Sequence, residues 1–416
     1  MKLFLNQKLQ EILRFFAKAT LTKYQPGIIG VTGSVGKTTT KEAIAAALRP
    51  YRRVRSNRGN FNNEIGLPLT ILGDWQKIER PAFLFWCKVF WRAIYQLIFK
   101  IDYPEALVLE YAADKPGDIK YLLEIARPHL GVVTAIGDIP VHVEFYSGPD
   151  EVAKEKGNLM EALPPVGFAV LNFDDEVVSD MKSRTRAYTI TFGFEKGADV
   201  RITNFENKVE ENLGGVPLGV SFKLEYGGSF VPVRLNGVLG KAAAYAAAAS
   251  ACVGIAYGLN LVKVSNALQN FETPFGRMKI LSGIKHSVII DDSYNASPLS
   301  MRSALDTLKQ IKINGRKIAV LGDMLEIGEY APEAHEALGA LSAKIVDLLF
   351  TVGPRAKFIA DAAQKAGMAK KRVYSFDEAS EAGIPLQNEI KEGDVVLIKG
   401  SRAIQLDRVV EEIREM

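Results

Sequence analysis

A glycine-containing loop between a strand and a helix is the feature that most restricts how this chain can fold. The apolar run Ile28–Val31 predicts a buried strand, and the residues KEAIAAALRP, which begin at Lys41, predict a helix. The loop between them contains Gly33, Ser34, Val35, Gly36, Lys37, Thr38 and Thr39. A strand, a glycine-rich loop and a helix in this order predict the opening of a nucleotide-binding α/β unit.

The loop residues suit the binding of nucleotide phosphates. Glycines let backbone N–H groups close on phosphate oxygens, and a helix N-terminus adds partial positive charge. Lys37 can reach the β- and γ-phosphates, and the Thr38 hydroxyl can bind Mg²⁺. The stricter pattern GxxxxGK[ST] is not met, because Val31 stands at the position of its first glycine. The alternative is a glycine-rich turn that carries a surface lysine.

Strand-like runs alternate with helical stretches along most of the chain, which predicts an α/β fold. The runs Ala106–Leu109, Gly131–Ala135 and Ala169–Leu171 favour a parallel sheet covered by helices. The alternating pattern of residues 187–236 favours an antiparallel patch. After a turn at Thr273–Gly276, a second series of strands and helices predicts a smaller Rossmann-like α/β domain. We expect an amphipathic N-terminal helix over residues 1–25, a central phosphate-loop domain over 26–275 and a C-terminal domain over 276–416.

Length and composition are those of an ordinary globular protein. The chain has 416 residues, 48% hydrophobic and 24% charged, enough to bury a sizeable core in two or three domains. The 52 Lys and Arg residues exceed the 48 Asp and Glu residues by only four, so nucleic-acid binding is not expected. Cys87 and Cys252 lie far apart, which favours packing roles in a reducing compartment. With no recognisable signal peptide or membrane-spanning run, we expect a cytoplasmic protein.

Further motifs follow the loop and, taken in order, resemble those of the Mur ligases. With the loop itself they are TGSVGKTTT, GNFNNEIGLPLT, LEYAADKPGDI, VLNFDD, PFGRM, DDSYNASP, LGDMLEIGE and IKGSR. The resemblance covers about residues 26–415. It implies an ATP-dependent amide-bond ligase of peptidoglycan precursor synthesis that works through an acyl phosphate. The implied cofactors are ATP and Mg²⁺, and the implied substrates are a UDP-N-acetylmuramoyl-tripeptide and D-alanyl-D-alanine, bound by a monomer.

Three residues are expected to act beside Lys37 and Thr38. Glu110 follows the run Ala106–Leu109, at the edge where α/β proteins place ligands, and the resemblance makes it a Mg²⁺ ligand. Lys156 matches the family's lysine that carries a carbamate made from CO₂, although from sequence alone it is an ordinary helix-surface residue. A carbamate would supply the oxygen that Mg²⁺ prefers. His142 resembles the family's metal-proximal histidine, and the alternative for it is a structural role.

The resemblance also implies contacts with nucleotide and substrate. Those with the nucleotide are Arg277, Asp292 and Asn295, of which Asp292 meets the ribose of ATP. Those on the substrate side are Asn62, Asn63, Glu64, Asp323, Met324, Lys399, Ser401 and Arg402. Arg402 could pair with the free carboxylate of an incoming dipeptide. Because an acyl phosphate must be shielded from water, these sets should meet where the two domains close.

Three departures from the family pattern keep alternatives open. Only about 25 residues precede the loop, so we do not expect the family's N-terminal UDP-binding domain. The His-Asn pair that relatives use near adenine is replaced within Gly240–Ala244, and Ala112 and Ala135 stand where Gly and Asn are common. A Mur-type ligase with a different carboxylate acceptor is one alternative. A degenerate nucleotide-binding scaffold at the membrane is another, against which the retained metal-ligand set argues.

Residues 75–103 form an aromatic-rich insertion that holds all three tryptophans, Trp75, Trp86 and Trp91. Lysines and arginines interrupt it, which disfavours a membrane span. A basic, aromatic amphipathic helix can lie on a membrane surface. The alternative is a helix packed against its own domain or against residues 1–24.

Overall fold

The computed structural model describes residues 2–59, 61–210 and 216–415. Strands of the described residues form a sheet of nine and a sheet of six. The larger sheet contains β1 (Gly27–Thr32), β2 (Val54–Ser56), β3 (Ala106–Glu110), β4 (Leu130–Val133), β5 (Phe168–Asn172), β6 (Tyr188–Gly193), β7 (Val200–Glu210), β8 (Val216–Tyr226) and β9 (Ser229–Asn236). The smaller contains β10 (Lys279–Gly283), β11 (Ser287–Asp291), β12 (Lys317–Gly322), β13 (Leu348–Val352), β14 (Val373–Phe376) and β15 (Val395–Lys399).

Helices cover both sheets, as the α/β prediction required. The helices up to residue 268 are α1 (Lys2–Tyr24), α2 (Lys37–Leu48), α3 (Gly66–Leu72), α4 (Ala82–Ile98), α5 (Asp118–Ile125), α6 (Pro149–Glu161), α7 (Glu176–Ser179), α8 (Lys241–Ala256) and α9 (Leu261–Leu268). Those beyond are α10 (Pro298–Gln310), α11 (Ala331–Ser342), α12 (Lys357–Lys365), α13 (Ala379–Glu389) and α14 (Asp407–Ile413). None of the helices in the described ranges is long and apolar enough to cross a bilayer.

The strand order of the larger sheet positions the phosphate loop. The order is β2-β3-β1-β4-β5-β6-β7-β8-β9, and β1 pairs in parallel with β3 on one side and β4 on the other. In these ladders Val31 is opposite Glu110, and Thr32 is opposite Val133. The carboxyl ends of the three strands therefore meet at one edge, and the residues that follow them converge there.

Residues 187–236 differ in part from the antiparallel patch that their pattern predicted. β7, β8 and β9 do pair antiparallel, and the two-residue turn Gly227–Gly228, with positive φ at both glycines, joins β8 to β9. β6, however, pairs in parallel with β5 and β7. The prediction was wrong for β6, because α7 lies between β5 and β6 and returns the chain to the same end of the sheet.

The smaller sheet repeats the same principle. Its order is β10-β11-β15-β12-β13-β14, and all neighbours except the β10–β11 pair are parallel. Because β11 and β15 are parallel neighbours, Asp292 and Lys399 come together at their carboxyl ends. The α/β fold class with a second, smaller parallel sheet is confirmed.

The first helix is integrated into the larger domain. α1 packs against α3 and α4 around a buried cluster of its own, which contains Leu13, Leu69, Leu72, Phe85, Val89 and Ala93. α4 is the helical part of the aromatic insertion, and its inward face helps to form this cluster. The alternative that the insertion packs against its own domain and α1 therefore holds for one face of α4.

We expect Leu13→Ala to destabilise the larger domain. The Leu13 side chain is fully buried, and removing three carbons from such a position costs about 2–5 kcal/mol. The midpoint of the urea unfolding transition measures the loss. Ile12→Ala is the matched control, because Ile12 is the preceding residue and is 44% exposed. Equal shifts for the two variants would contradict the packing of α1 described here.

Candidate active site

The phosphate loop turns sharply between β1 and α2. Gly33 and Gly36 have φ angles of +139° and +87°, a region that residues with a Cβ rarely adopt. The N–H groups of Ser34 and Val35 donate to the carbonyl of Ala135 at 2.7 and 3.0 Å, which ties the loop to the segment after β4. The first N–H groups of α2 have no partner within the helix. These N–H groups are therefore available to donate hydrogen bonds to a phosphate.

The carboxylate of Glu110 is the centre of a buried polar cluster. Thr38 Oγ1 donates to Glu110 Oε2 at 3.0 Å, and Asn62 Nδ2 donates to Oε1 at 3.0 Å. Lys41 Nζ lies 3.9 Å from Oε2, and the Glu110 N–H donates to Asn57 Oδ1 at 2.9 Å. Glu110 is only 2% exposed. These contacts fix the position of the Glu110 carboxylate.

Two lysines near this cluster, Lys37 and Lys156, have lowered pKa values. Lys37 Nζ donates to the Gly33 carbonyl at 2.9 Å. Burial lowers the pKa of Lys37, and the nearby Glu110 partly opposes that shift.

Lys156 on α6 is 1% exposed. Its ammonium takes part in none of the hydrogen bonds or ion pairs found between described residues. Burial, followed by the charge of Lys37, lowers the pKa of Lys156 to about 7. The view of Lys156 as a surface residue is therefore wrong, although Lys154, two positions away, is exposed.

His142 joins the two domains. Its Nδ1 lies 2.8 Å from Glu326 Oε2, at an angle outside that of a hydrogen bond, and its Nε2 lies 3.4 Å from Asp114 Oδ1. Contact with His142 lowers the pKa of Glu326. Both ring nitrogens thus face carboxylates other than Glu110, and the metal role of His142 stays a prediction.

The smaller domain contributes an ion pair on the side of the site opposite the phosphate loop. Lys399 Nζ lies 2.6 Å from Asp292 Oδ2 and also donates to the Asn295 carbonyl at 2.9 Å. The second oxygen of Asp292 accepts the N–H of Met278 at 3.1 Å. Burial raises the pKa of Asp292 and lowers that of Lys399, and each charge offsets the shift of the other. In this structure Asp292 is engaged within its own domain.

Two arginines stack on one aromatic ring at the mouth of the same wall. The guanidinium carbons of Arg277 and Arg402 lie 4.0 and 5.0 Å from the centre of the Tyr294 ring. Arg402 is exposed, whereas Ser401 beside it is buried and accepts the N–H of Leu325 at 2.9 Å. The ring thus brings two cations near each other, and the charge of Arg277 also acts on the Asp292 carboxylate.

One cavity of about 570 Å³ joins these groups. Its walls contain residues of both domains, so the phosphate loop and Arg402 line the same cavity in this structure. The predicted residues that line it are Ser34, Val35, Gly36, Lys37, Thr38, Thr39, Asn62, Asn63, Glu110, His142, Arg277, Asp292, Asn295, Lys399, Ser401 and Arg402.

Several predicted residues lie off this wall. Gly33 and Lys156 do not line the cavity, and Glu64 is half-buried near Tyr121. Asp323 and Met324 were expected on the substrate side, and that expectation is corrected because both are buried inside the smaller domain. Asp323 accepts the N–H of Ala356 at 2.6 Å, before α12, and the Met324 N–H donates to His335 Nε2 at 3.0 Å.

Sequence reasoning missed four polar residues of the site. Lys41 is one helical turn after Lys37 on α2, and this spacing could have revealed it. Asn57 follows the short strand β2, whose parallel pairing brings its end to the same edge. Asp114 and Glu326 both lie near His142, and each belongs to a motif, LEYAADKPGDI and LGDMLEIGE, that could have revealed it.

The pair Thr38 and Glu110 fits a Mg²⁺ ion. Their side-chain oxygens lie 3.0 Å apart on the cavity wall. Mg²⁺ keeps several waters and needs only one or two protein oxygens beside substrate phosphates. The described residues contain no cluster of three or more His, Cys, Asp or Glu side chains suited to hold a metal by themselves.

A second cavity of about 770 Å³ lies next to the phosphate loop, and Val35, Gly36 and Ala242 line both cavities. Its wall also contains Tyr245, whose hydroxyl donates to Asp174 Oδ2 at 2.7 Å. Residues Ala242 and Tyr245 belong to the start of α8, where the family's His-Asn pair is replaced.

Family models match most of the chain. The model described as the Mur ligase middle domain matches residues 31–80 and 93–254. The model described as the Mur ligase, glutamate ligase domain matches residues 276–402.

Individual relatives are similar over nearly the whole chain. Two proteins named UDP-N-acetylmuramoyl-tripeptide–D-alanyl-D-alanine ligase, from Bacillus subtilis and Synechocystis, are 30% and 32% identical to it. Each alignment covers 97% of this chain, and 79% and 80% of the respective relative. The crystal structure of MurF ligase from Thermotoga maritima in complex with ADP superposes with a TM-score of 0.77 and 28% identity, covering 97% of this chain and 83% of that one. Crystal structure I of MurF from Acinetobacter baumannii gives 0.78 and 25%, covering 97% and 80%.

We expect the stability of Lys156→Met relative to the wild type to depend on pH. The pKa of Lys156 is lowered from 10.5 to about 7 in the folded protein. Between these values the unfolded chain binds more protons, so wild-type stability rises with pH across that window. The variant lacks this contribution, and its stability relative to the wild type should fall from pH 7 to pH 9. Urea unfolding at both pH values measures the change.

Lys154→Met is the matched control, because Lys154 is an exposed lysine of the same helix. Its stability relative to the wild type should not vary over the same range. A difference for Lys156→Met that is constant with pH would contradict the lowered pKa.

Proposed function

Because this chain belongs to the Mur ligase family, we propose that it joins D-alanyl-D-alanine to the peptide carboxylate of UDP-N-acetylmuramoyl-tripeptide. The reaction uses ATP and proceeds through an acyl phosphate. The names of the relatives from Bacillus subtilis and Synechocystis support this substrate pair. The observation that carries the proposal is the single cavity in which the phosphate loop and Glu110 face Arg277, Lys399 and Arg402 of the other domain.

The first step brings two anions together. A substrate carboxylate attacks the γ-phosphorus of ATP, the bond to ADP breaks, and the phosphoryl group forms an acyl phosphate. Cations must offset the repulsion between carboxylate and phosphate. Lys37 does this from the phosphate loop and Arg277 from the opposite wall, while the N–H groups at the start of α2 hold the phosphates. Gly33, Ser34, Val35, Gly36 and Thr39 shape that loop.

Thr38 and Glu110 would hold Mg²⁺, and the bound ion would supply positive charge beside the phosphates. Asn62 and Lys41 keep the Glu110 carboxylate oriented by their contacts with it. His142 is the remaining member of the proposed metal environment.

Lys156 carries a carbamate. A pKa near 7 leaves a large share of the side chain as a neutral amine at neutral pH, and the nitrogen lone pair of that amine can attack CO₂. The nitrogen loses a proton as the bond forms, so that a cation becomes an anion with two oxygens. The carbamate then neutralises the positive charge of the nearby Lys37 and offers oxygen atoms to the metal site.

In the second step the amine of the dipeptide attacks the acyl carbon. A tetrahedral intermediate forms and expels phosphate, and the nitrogen loses a proton to give the amide. Arg402 pairs with the dipeptide's free carboxylate, supported by Lys399 and Ser401. Asn63 and Glu64 lie in the loop on the acceptor side.

The base of ATP enters the second cavity beside the loop, where Tyr245 forms part of the wall. The ribose stays in the first cavity, where Asp292 and Asn295 meet it from the smaller domain. This wall differs from that of relatives with a His-Asn pair, so base contacts are made by other residues here. The protein acts on small molecules, and a monomer stays the prediction.

We expect Lys37→Ala to lower the rate of ATP-dependent phosphate release at least a hundredfold while the fold is kept. The lysine supports no core packing, and its charge is needed at the phosphates. Release is measured with UDP-N-acetylmuramoyl-tripeptide, with and without D-alanyl-D-alanine. Lys120→Ala, at an exposed position of α5, should retain wild-type activity. Near-normal release by a folded Lys37→Ala protein would contradict nucleotide binding by this loop. Turnover only with another carboxylate acceptor would show that the muramyl tripeptide is not the substrate.

We expect Lys156→Ala to lose activity and to regain part of it with added short-chain carboxylates. Acetate or propionate can supply the oxygens of the missing carbamate within the space of the deleted side chain. The readout is phosphate release as a function of carboxylate concentration, with chloride at equal ionic strength as control. Full wild-type activity in buffer depleted of bicarbonate would count against the carbamate.

A further inference from the structure

Helix α4 has two apolar faces, and only one of them is covered. Its inward face is buried against α1 and α3 and includes Phe85, Val89 and Ala93. The outward face is apolar as well, with side chains that are 43% to 75% exposed. These residues, which we call the outer face, are Phe83, Leu84, Trp91, Ile94, Tyr95 and Ile98. A helix that served only to cover its domain would carry polar residues on this side.

The outer face is held in a fixed orientation. Gln96 Nε2 donates to Thr20 Oγ1 at 3.0 Å, and the Tyr24 hydroxyl donates to the Gln96 carbonyl at 2.7 Å. Lys23 Nζ donates to the carbonyls of Gln96, Leu97 and Phe99 at 2.9 to 3.0 Å. A cation at this position also interacts favourably with the partial negative charge at the C-terminal end of α4. Because hydrogen bonds join the C-terminal end of α4 to α1, the helix cannot rotate to turn its outer face inward.

The charge around the outer face is positive. Between residues 80 and 101 the chain has four cationic residues, Arg80, Lys88, Arg92 and Lys100, and no acidic residue. This segment alone equals the net charge of +4 of the whole chain. Lys88 and Arg92 follow one edge of the apolar stripe, where their aliphatic stems add to the apolar area. Lys88 Nζ lies 3.1 Å from Glu79 Oε2, and Arg92 Nε donates to the Leu72 carbonyl at 3.3 Å. The segment keeps a net charge of +3 when Glu79 is counted with it.

Half of the outer face lies in a segment that the middle-domain family model does not match. The middle-domain match ends at residue 80 and resumes at residue 93. Phe83, Leu84 and Trp91 belong to the unmatched segment. The ligase chemistry proposed above involves none of them.

We propose that the outer face of α4 docks on the surface of an anionic lipid bilayer. Exposed Trp, Phe and Ile side chains beside a row of cations are the composition of helices that lie in the plane of a membrane, and Trp and Tyr favour the boundary between headgroups and acyl chains. A second copy of the chain is a poorer occupant, because face-to-face contact would bring together two segments that each keep a net positive charge.

Docking in this way would set the active site beside the membrane. A cleft of about 550 Å³ extends from Asn63 and Arg402 to Lys77 and Ile78, which precede α4 by a few residues. The outer end of the cleft therefore adjoins the lipid-facing helix. Arg58 and Lys77 add positive charge along the same cleft.

Sedimentation of the full chain with vesicles tests the proposal. Vesicles of phosphatidylcholine with and without 30% phosphatidylglycerol are compared at about 0.1 M salt, where charges separated by roughly 10 Å still interact. We expect at least tenfold stronger partitioning to the anionic vesicles, and weaker binding as salt rises. The triple variant Phe83→Gln, Trp91→Gln and Ile98→Gln should bind at least tenfold less.

The matched control is the triple variant Val166→Gln, Tyr188→Gln and Phe230→Gln, whose positions are 59% to 80% exposed elsewhere on the surface. It should bind vesicles like the wild type, and both triple variants should unfold at the wild-type urea concentration. Ligase activity measured without vesicles should be unchanged in both, which separates a failure of docking from a failure of the proposed function.

Three outcomes would overturn the proposal. One is a wild-type chain that stays in the supernatant with anionic vesicles. Another is equal binding by the α4 variant and the surface control. The third is a dimer in light scattering that the α4 variant alone disrupts, since the outer face would then be an interface between copies.

Discussion

The parallel pairing of β1 with β3 and β4 is the constraint on which the site depends. A parallel neighbour on each side brings three carboxyl ends to one edge, so the phosphate loop after β1 opens beside Glu110 at the end of β3. The loop is then tied to the segment after β4 through the Ala135 carbonyl. The hydrogen bond between Thr38 and Glu110 joins residues 72 positions apart only because this pairing exists.

Charge is concentrated around that edge without full neutralisation. Lys156 and Lys399 are buried and Lys37 is half-buried. All three have lowered pKa values, and the shared cause is loss of water around the ammonium. Such ammonium groups lower the stability of the protein without ligand, and they are stabilised when anions bind beside them. A site built to hold ATP and a carboxylate together has the same requirement, since cations must be in place before the anions meet.

The joint between the domains follows the same logic. Lys399 and Asp292 lie at the ends of neighbouring strands of the smaller sheet, as Thr38 and Glu110 do in the larger one. Two sheet edges therefore face each other across one cavity, and His142 links them through Asp114 and Glu326. Helix α4 packs on α1 and α3 of the larger domain, and none of its residues lines the cavity between the domains, so an apolar outer face can exist there without disturbing the chemistry.

The sequence by itself determined the α/β class, the loop and most of the residues around it, because strand, loop and helix signals are local and the loop's chemistry lies in consecutive residues. It could not assign β6 to the parallel part of the sheet, since alternation of apolar and polar residues does not reveal the direction of a strand. Only the tertiary structure decided that Lys156 is buried while Lys154 is exposed, because burial depends on what packs against each side of α6. It also decided that Asp323 and Met324 lie inside the smaller domain and that Lys41 and Asn57 support Glu110. Contacts between distant residues follow from how strands and helices pack, and no short stretch of sequence contains that information.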